Sequence, residues 1–226
     1  MTNENFYFRQ TDIFNPKTQK YKIHVLGGGA LGSWITLCLA KTGFDDITIY
    51  DFDVVEDLNI GSQLYRPVDL NASKTFALQD IIKVFTELKI KTKNEEVTEK
   101  TVLDMSLNNI FILTFDTLKA RKLVYELLKN YNCHVIDARM GGVEFNIQVI
   151  DTSDKEQVKK WEKSFDITPT DLPCNAKAIC YVNMAVASEV VNIIKKINNQ
   201  EKYPTKIIRH MNQYKIINDY DRKLSL

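Results

Sequence analysis

Four cysteines among 226 residues, Cys38, Cys133, Cys174 and Cys180, form no CxxC pair, and their scarcity excludes a disulfide framework and a zinc site built from paired thiolates. The three histidines, His24, His134 and His210, are too scattered to suggest a metal site by spacing, and His24, inside an apolar run, reads as a packed structural histidine. No long hydrophobic run exists: the best, around Ala185 to Val191, is broken by Ser188 and Glu189 and is too short to span a bilayer. Met1 to Lys22 lacks the apolar stretch of a secretory signal, so a soluble, cytoplasmic protein is expected. Charge of one sign is also missing. Thirty basic against 29 acidic side chains leave no global field to draw the chain to nucleic acid or an anionic membrane. With 44% apolar residues and only eight glycines and five prolines, one substantial core is expected in a single domain over 1–226.

What is present is strand and helix in alternation. Tyr21 to Leu26 is a short apolar run that ends in glycines, an apolar helical stretch runs to Ala40 and stops at Gly43, and a β-branched strand closes on Asp51 and Asp53. Ala77, Leu78, Ile81, Ile82, Phe85 and Leu88 share one helical face. Strands are expected over Asn109 to Phe115, Cys133 to Ile136 and Val143 to Ile150, the last two separated by Gly141-Gly142, with a helix over Arg121 to Asn130. The polar stretch 151–173 reads as a crossover loop region, followed by a long helix carrying Val182, Val186, Val190, Ile194 and Ile197. Residues 1–20 read as an N-terminal arm and 200–226 as short C-terminal strands. The implied fold class is α/β, a doubly wound, mostly parallel Rossmann-like sheet flanked by helices, with antiparallel strands in the second half.

Gly27, Gly29 and Gly32 stand in GxGxxG spacing between the first strand and its helix, a pattern that puts phosphate on the helix N-terminus, where free amides and the helix dipole favour an anion; Ala30 opens that helix. The loop has no Walker lysine. Asp51, at the end of the second strand, suits ribose hydroxyls. To this point a dehydrogenase using NAD and an enzyme using ATP fit equally.

The next residues separate them. Asp51-Phe52-Asp53-Val54-Val55-Glu56, then Asn59, Gln63 and Lys74, resembles the DxDxVExxNxxxQ signature and downstream lysine of the ThiF/MoeB/HesA superfamily, relatives of the ubiquitin-activating enzymes. Asp116 and Arg121 in FDTLKAR resemble its DNxxxR element, and DARMGG, Asp137 to Gly142, its AxRMxG segment. The resemblance spans roughly Phe6 to Ile197. It implies an adenylyltransferase that activates a carboxylate with ATP and Mg²⁺: Lys74 on the phosphates, Asp116 holding the metal, and Asp53, Asn59 and Gln63 positioning the nucleotide. Cations and a metal are what the chemistry demands, because a carboxylate attacking the α-phosphate brings anions together. Taken without the motif, Lys74 reads as a solvated lysine at a helix start and Asp116 as a helix N-cap; the concerted spacing reverses that reading. Arg139 reads either as a site-lining residue or as the partner of Asp137 or Glu144.

One position departs from the pattern. The family's NLxRQ string is NIGSQ here, so Ser62 stands where an arginine is usual, and Arg66 or Arg9 are the replacement guanidinium groups on offer. Relatives of the family present an N-terminal arginine across a dimer interface, which favours Arg9 and implies a homodimer. Cys174, after Pro173 and before the long helix, lies where a dipole would activate a thiol, and the resemblance implies an acyl-accepting nucleophile there; a packing cysteine is the alternative. Cys38 and Cys180 read as core. The implied partner is a small ubiquitin-like or sulfur-carrier protein with a C-terminal glycine. A nucleotide-binding scaffold without catalysis, and an NAD-dependent oxidoreductase, stand as rivals.

Overall fold

The structure is a computed structural model that describes residues 4–101, 103–104, 106–166 and 178–220. Its elements run β1 (Lys22–Leu26), α1 (Ala30–Thr42), β2 (Ile47–Tyr50), α2 (Lys74–Thr86), β3 (Lys91–Lys93), β4 (Asn109–Leu113), α3 (Leu118–Leu128), β5 (His134–Gly141), β6 (Glu144–Asp151), α4 (Lys155–Lys163), α5 (Cys180–Asn198), β7 (Lys206–His210) and β8 (Lys215–Asp219). They build one eight-stranded sheet in the order β3-β2-β1-β4-β5-β6-β7-β8. The pairings from β3 through β5 are parallel and those from β5 through β8 antiparallel, so the expected mixed, Rossmann-like sheet is the observed one.

Strands buried on both faces need covers on both. Ile23, Val25, Ile47, Ile49, Ile110 and Ile112 point toward α1, α2 and α5, and with Ile136, Phe145 and Ile147 they form the larger core. Leu26, Phe111, Leu113, Val135 and Ile150 face the other way, onto Val124 of α3 and Trp161 of α4. The arm at 4–20 is docked rather than loose. Phe14 is buried and stacked on Phe44 with centroids 4.4 Å apart, a pairing that adds about 1 kcal/mol beyond area burial. Tyr7 and Gln10 donate to the carbonyls of Ala40 and Thr42 at the far end of α1.

The structure departs from expectation at four places. The stretch 151–173 holds α4, capped by Asp154, whose carboxylate accepts from the amides of Glu156 and Gln157. Only Val158 and Trp161 of that charged helix are buried, too few apolar positions for a period to register. The polar edge strand β3 was not anticipated, for the same reason. Phe85, assigned to the buried face of α2, is exposed, while Ile81 and Ile82 are buried as expected. DARMG lies inside β5 rather than after it.

The topology also places the site. From β1 the chain moves outward to β2 and β3, then returns past β1 to β4, so the strand order reverses between β1 and β4. That reversal, at the carboxyl ends of the strands, is where the ligand crevice lies in open α/β sheets.

Candidate functional site

At the end of β1 the backbone turns on Gly27, φ 109°, a left-handed conformation that favours glycine. Each remaining glycine of the loop has its own reason. A Cβ on Gly32 would lie 1.8 Å from the carbonyl oxygen of Gly27, so the helix could not seat against the turn. A Cβ on Gly28 would press to 3.1 Å from the Tyr65 hydroxyl and 3.3 Å from Asp51 Oδ2. Gly29, the N-cap of α1, is different: a Cβ there meets nothing within 4 Å. No packing demand within the protein calls for glycine at 29, but an approaching ligand would.

The loop's hydrogen bonds account for its shape. The amide of Gly27 donates to the Tyr50 carbonyl, and the Thr114 hydroxyl lies within donor distance of the carbonyls of Leu26 and Gly27, at 2.9 and 2.8 Å. Gly28 is held at both ends, its amide by Asp51 Oδ2 at 2.6 Å and its carbonyl by the Tyr65 hydroxyl at 2.7 Å. The amides of Gly29, Ala30 and Leu31 have no acceptor among the described residues, and no side chain caps α1. Three donors at the positive end of a helix dipole therefore face the crevice, which is the arrangement an anion requires.

Asp51 uses its other oxygen to accept from the Asp53 amide at 2.8 Å. Burial pushes its carboxyl above the usual range, against the pull of these amides and of the Lys74 charge. Lys74 opens α2, but it is not the solvated lysine of the bland reading. Its side chain is 8% exposed and its Nζ lies 2.9 Å from Asp53 Oδ2, so the ammonium sits beside a carboxylate two residues from Asp51, the one that grips the loop. Asn59 shapes the intervening segment, its Oδ1 accepting from the Glu56 amide, while the Oε1 of Gln63 is enclosed with no donor among the described residues. The carbonyl of Ser62 is taken by Trp34 Nε1 at 2.9 Å and Asn183 Nδ2 at 2.7 Å, which fixes the loop from behind.

Asp116 stands on the other flank, two residues beyond Thr114, exposed and without an ion pair or hydrogen bond among the described residues. It is not the N-cap of α3; Thr117 is, its hydroxyl accepting from the Ala120 amide. That leaves the Asp116 carboxylate free for a ligand. The described residues hold no cluster of three metal-ligating side chains, so a metal at Asp116 would complete its shell with phosphate oxygens and water, as Mg²⁺ commonly does.

The arginines proposed from sequence are elsewhere. Arg66 is clamped on Asp69 through Nε at 2.9 Å and a terminal nitrogen at 2.7 Å. Arg9 belongs to the turn Glu4–Gln10 at the far end of α1, about 16 Å along that helix from Gly29. Arg139 pairs with Asp137 at 2.6 Å, resolving its two readings toward the structural one, and also donates to Ser164. The fully buried Arg121 binds the other oxygen of Asp137 and the carbonyls of Leu113, Phe115 and Ala138. Burial pushes the Asp137 carboxyl up, but the two guanidinium groups and the Trp161 indole outweigh it and hold the group below the usual range. Arg121 thus fixes the turn that carries Asp116. Cys174 lies outside the described residues. Burial raises the thiols of Cys38 and Cys133, the latter to about 11, so neither is primed to react. Tyr65 and Trp161 escaped the sequence reading as site-shaping residues; a tryptophan in a run of charges was the one available cue.

A model of the ThiF family matches residues 9–223. The curated relatives include the SUMO-activating enzyme subunit uba-2 of Caenorhabditis elegans, 26% identical over 138 residues, 59% of this chain and 24% of that protein. Another is the NEDD8-activating enzyme E1 catalytic subunit of Dictyostelium discoideum, 28% identical over 125 residues, 53% of this chain and 27% of that protein. The chain therefore spans about a quarter of the length of these relatives. Among solved structures, PaaA superposes with a TM-score of 0.74 at 19% identity, over 96% of this chain and 72% of that one. E. coli MccB crystallised with ATP superposes at 0.72 with 16% identity and the same coverage. These structural likenesses concern the fold, and the family model covers nearly the whole sequence: the chain belongs to the ThiF family.

Proposed function

We propose that this chain is an ATP-dependent adenylyltransferase that activates the C-terminal glycine carboxylate of a small ubiquitin-like or sulfur-carrier protein, or of a peptide. The observation that carries the reading is the row of three amides at Gly29 to Leu31 that have no acceptor among the described residues, with Lys74 on one side and the exposed Asp116 on the other. Support comes from the family, from curated relatives named as activating enzymes for SUMO and NEDD8, and from a fold neighbour crystallised with ATP and, separately, with AMPCPP and MccA.

In this reading the amides and Lys74 bind the phosphates, and Asp51 accepts from the ribose hydroxyls with the lone pairs its backbone partners leave free. Asn59 shapes the loop that carries Gln63, the residue the family pattern assigns to the nucleotide. A carboxylate oxygen of the substrate attacks the α-phosphorus, the bond to the bridging oxygen breaks, and pyrophosphate leaves with that electron pair. Mg²⁺ held at Asp116 would neutralise charge on the departing oxygens. Lys74 must exchange Asp53 for phosphate, or share it, as nucleotide enters. With Arg66 engaged by Asp69, a further cation comes from Arg9 of a second copy in a homodimer. Cys174 would receive the acyl group after adenylation. In this reading residues 1–226 form one adenylation domain that acts in the cytoplasm on a protein or peptide substrate, without nucleic acid or membrane.

The test is ATP–pyrophosphate exchange with carrier proteins and peptides ending in glycine. Exchange is expected in the wild type, lost in Asp116→Ala and kept in Cys174→Ala. Nucleotide binding without exchange against every carboxylate tried would favour the scaffold reading, which draws on Ser62 and the captive Arg66.

A further inference from the structure

The peptide between Gly28 and Gly29 supplies the first amide of the phosphate cradle, and nothing intrinsic keeps it in place. In a trans peptide the carbonyl of one residue and the amide of the next point in opposite directions, so the side on which the Gly28 oxygen lies decides where the Gly29 N–H points. Between two glycines the peptide plane can rotate with little steric resistance. A rotated plane would turn a carbonyl dipole toward the incoming phosphates and remove a donor. The preceding peptide has no such freedom, because its carbonyl is within reach of the Thr114 hydroxyl and its amide is fixed by Asp51.

We propose that Tyr65 is a positioning residue of the nucleotide site: its hydroxyl holds the Gly28 carbonyl inward, at 2.7 Å, and thereby aims the Gly29 amide at the phosphates. Tyr65 is 3% exposed, so the bond is shielded from competing water. It is also borne by the segment that carries Asn59, Ser62 and Gln63, whose backbone is pinned to α1 and α5 through Trp34 and Asn183. The loop that the family pattern marks as nucleotide-contacting and the phosphate loop are therefore joined by one side-chain oxygen. The inference rests on the nucleotide-binding part of the proposed function and adds a residue to it.

The test compares ATP, inorganic tripolyphosphate and adenosine on the wild type and Tyr65→Phe, by calorimetry or ligand-detected NMR. Tyr65→Phe keeps the ring and removes only the lock, so ATP and tripolyphosphate affinity should fall about tenfold while adenosine affinity stays unchanged. Equal weakening of all three would mark general loosening and overturn the proposal, as would unchanged tripolyphosphate affinity. Gly28→Ala attacks the same peptide from the other side, since its Cβ would lie 3.1 Å from the Tyr65 hydroxyl, and the same selective loss is expected. A wild type that binds neither ATP nor tripolyphosphate would sink the nucleotide reading and the lock together. Selective loss in a protein without pyrophosphate exchange would sink adenylation alone and uphold the lock.

Discussion

Gly29 and Gly32 are three residues apart, one capping α1 and the other in its first turn, yet alanine at the two positions should produce opposite phenotypes. At Gly32 the new Cβ would sit 1.8 Å from the Gly27 carbonyl oxygen and 2.9 Å from Thr114 Oγ1, and the first of these is backbone that cannot swing away. Overpacking of that kind costs about 3 kcal/mol, which in a chain of this size lowers the thermal midpoint by roughly 6–12 °C. At Gly29 the methyl meets no protein atom within 4 Å, so the only structural charge is the poorer N-cap propensity of alanine, about 1 kcal/mol and about 3 °C. The same methyl, however, occupies the space through which phosphate reaches the amides. Losing two charge-assisted hydrogen bonds, each worth at least about 1.5 kcal/mol, should weaken ATP binding by more than about 100-fold. Differential scanning fluorimetry with and without ATP separates the two effects: Gly29→Ala should melt near the wild type but gain nothing from nucleotide. Should Gly29→Ala bind ATP normally, or destabilise the protein as much as Gly32→Ala, the placement of phosphate at this helix end is wrong.

The other predictions concern charges and thiols. Lys74→Ala leaves Asp53 with half of its side chain in water, so stability should change by less than about 1 kcal/mol while ATP affinity falls at least tenfold; an NAD-dependent protein would show no such loss. Asp116→Ala, at an exposed position, should melt within about 1 °C of the wild type and lose pyrophosphate exchange. Asp137 has its carboxyl held below the ordinary range, so it stabilises the fold above about pH 4 and loses that contribution as pH falls through the folded value. Asp137→Asn should therefore cost about 3–5 kcal/mol at pH 7 and flatten the acid limb of a melting-temperature profile; an unchanged limb would contradict the assignment. Cys38 and Cys133, both raised by burial, should resist iodoacetamide at neutral pH in a peptide-mapped time course, and rapid modification of either would refute their placement in the core.

How much of this was legible in the sequence depended on whether a feature is local. The glycine loop, Asp51 and the alternation of strands and helices are encoded within a few residues of one another, as spacings that backbone geometry enforces, and they emerged where expected. Helix α4 did not, because a nine-residue helix anchored by Val158 and Trp161 carries no period long enough to read. Arg139 could not be assigned from sequence because its fate depends on sharing Asp137 with Arg121 and on an acceptor, Ser164, at the end of another element. Tyr65 offered no signal at all: its role is one bond from a side chain to a backbone oxygen 37 positions earlier, and no spacing rule anticipates it.

The cations around the crevice divide in a way that composition hides. The charge balance is near neutral, but the arginines nearest the motifs are spoken for: Arg66 by Asp69, Arg121 and Arg139 by Asp137. These pairs stiffen the loops that present Gln63 and Asp116 and leave Lys74, itself paired with Asp53, as the ammonium placed beside the phosphate loop. A triphosphate brings about four negative charges, which one lysine and a helix dipole of roughly half a charge cannot offset. The deficit follows directly from serine at position 62, whose backbone carbonyl is buried in hydrogen bonds while its side chain brings no charge. In the proposed reaction a divalent cation at Asp116 and Arg9 of a second copy are the two sources that would restore the balance. Dependence of ATP affinity on both Mg²⁺ and Arg9, despite the distance of Arg9 from its own loop, is therefore the joint signature to look for.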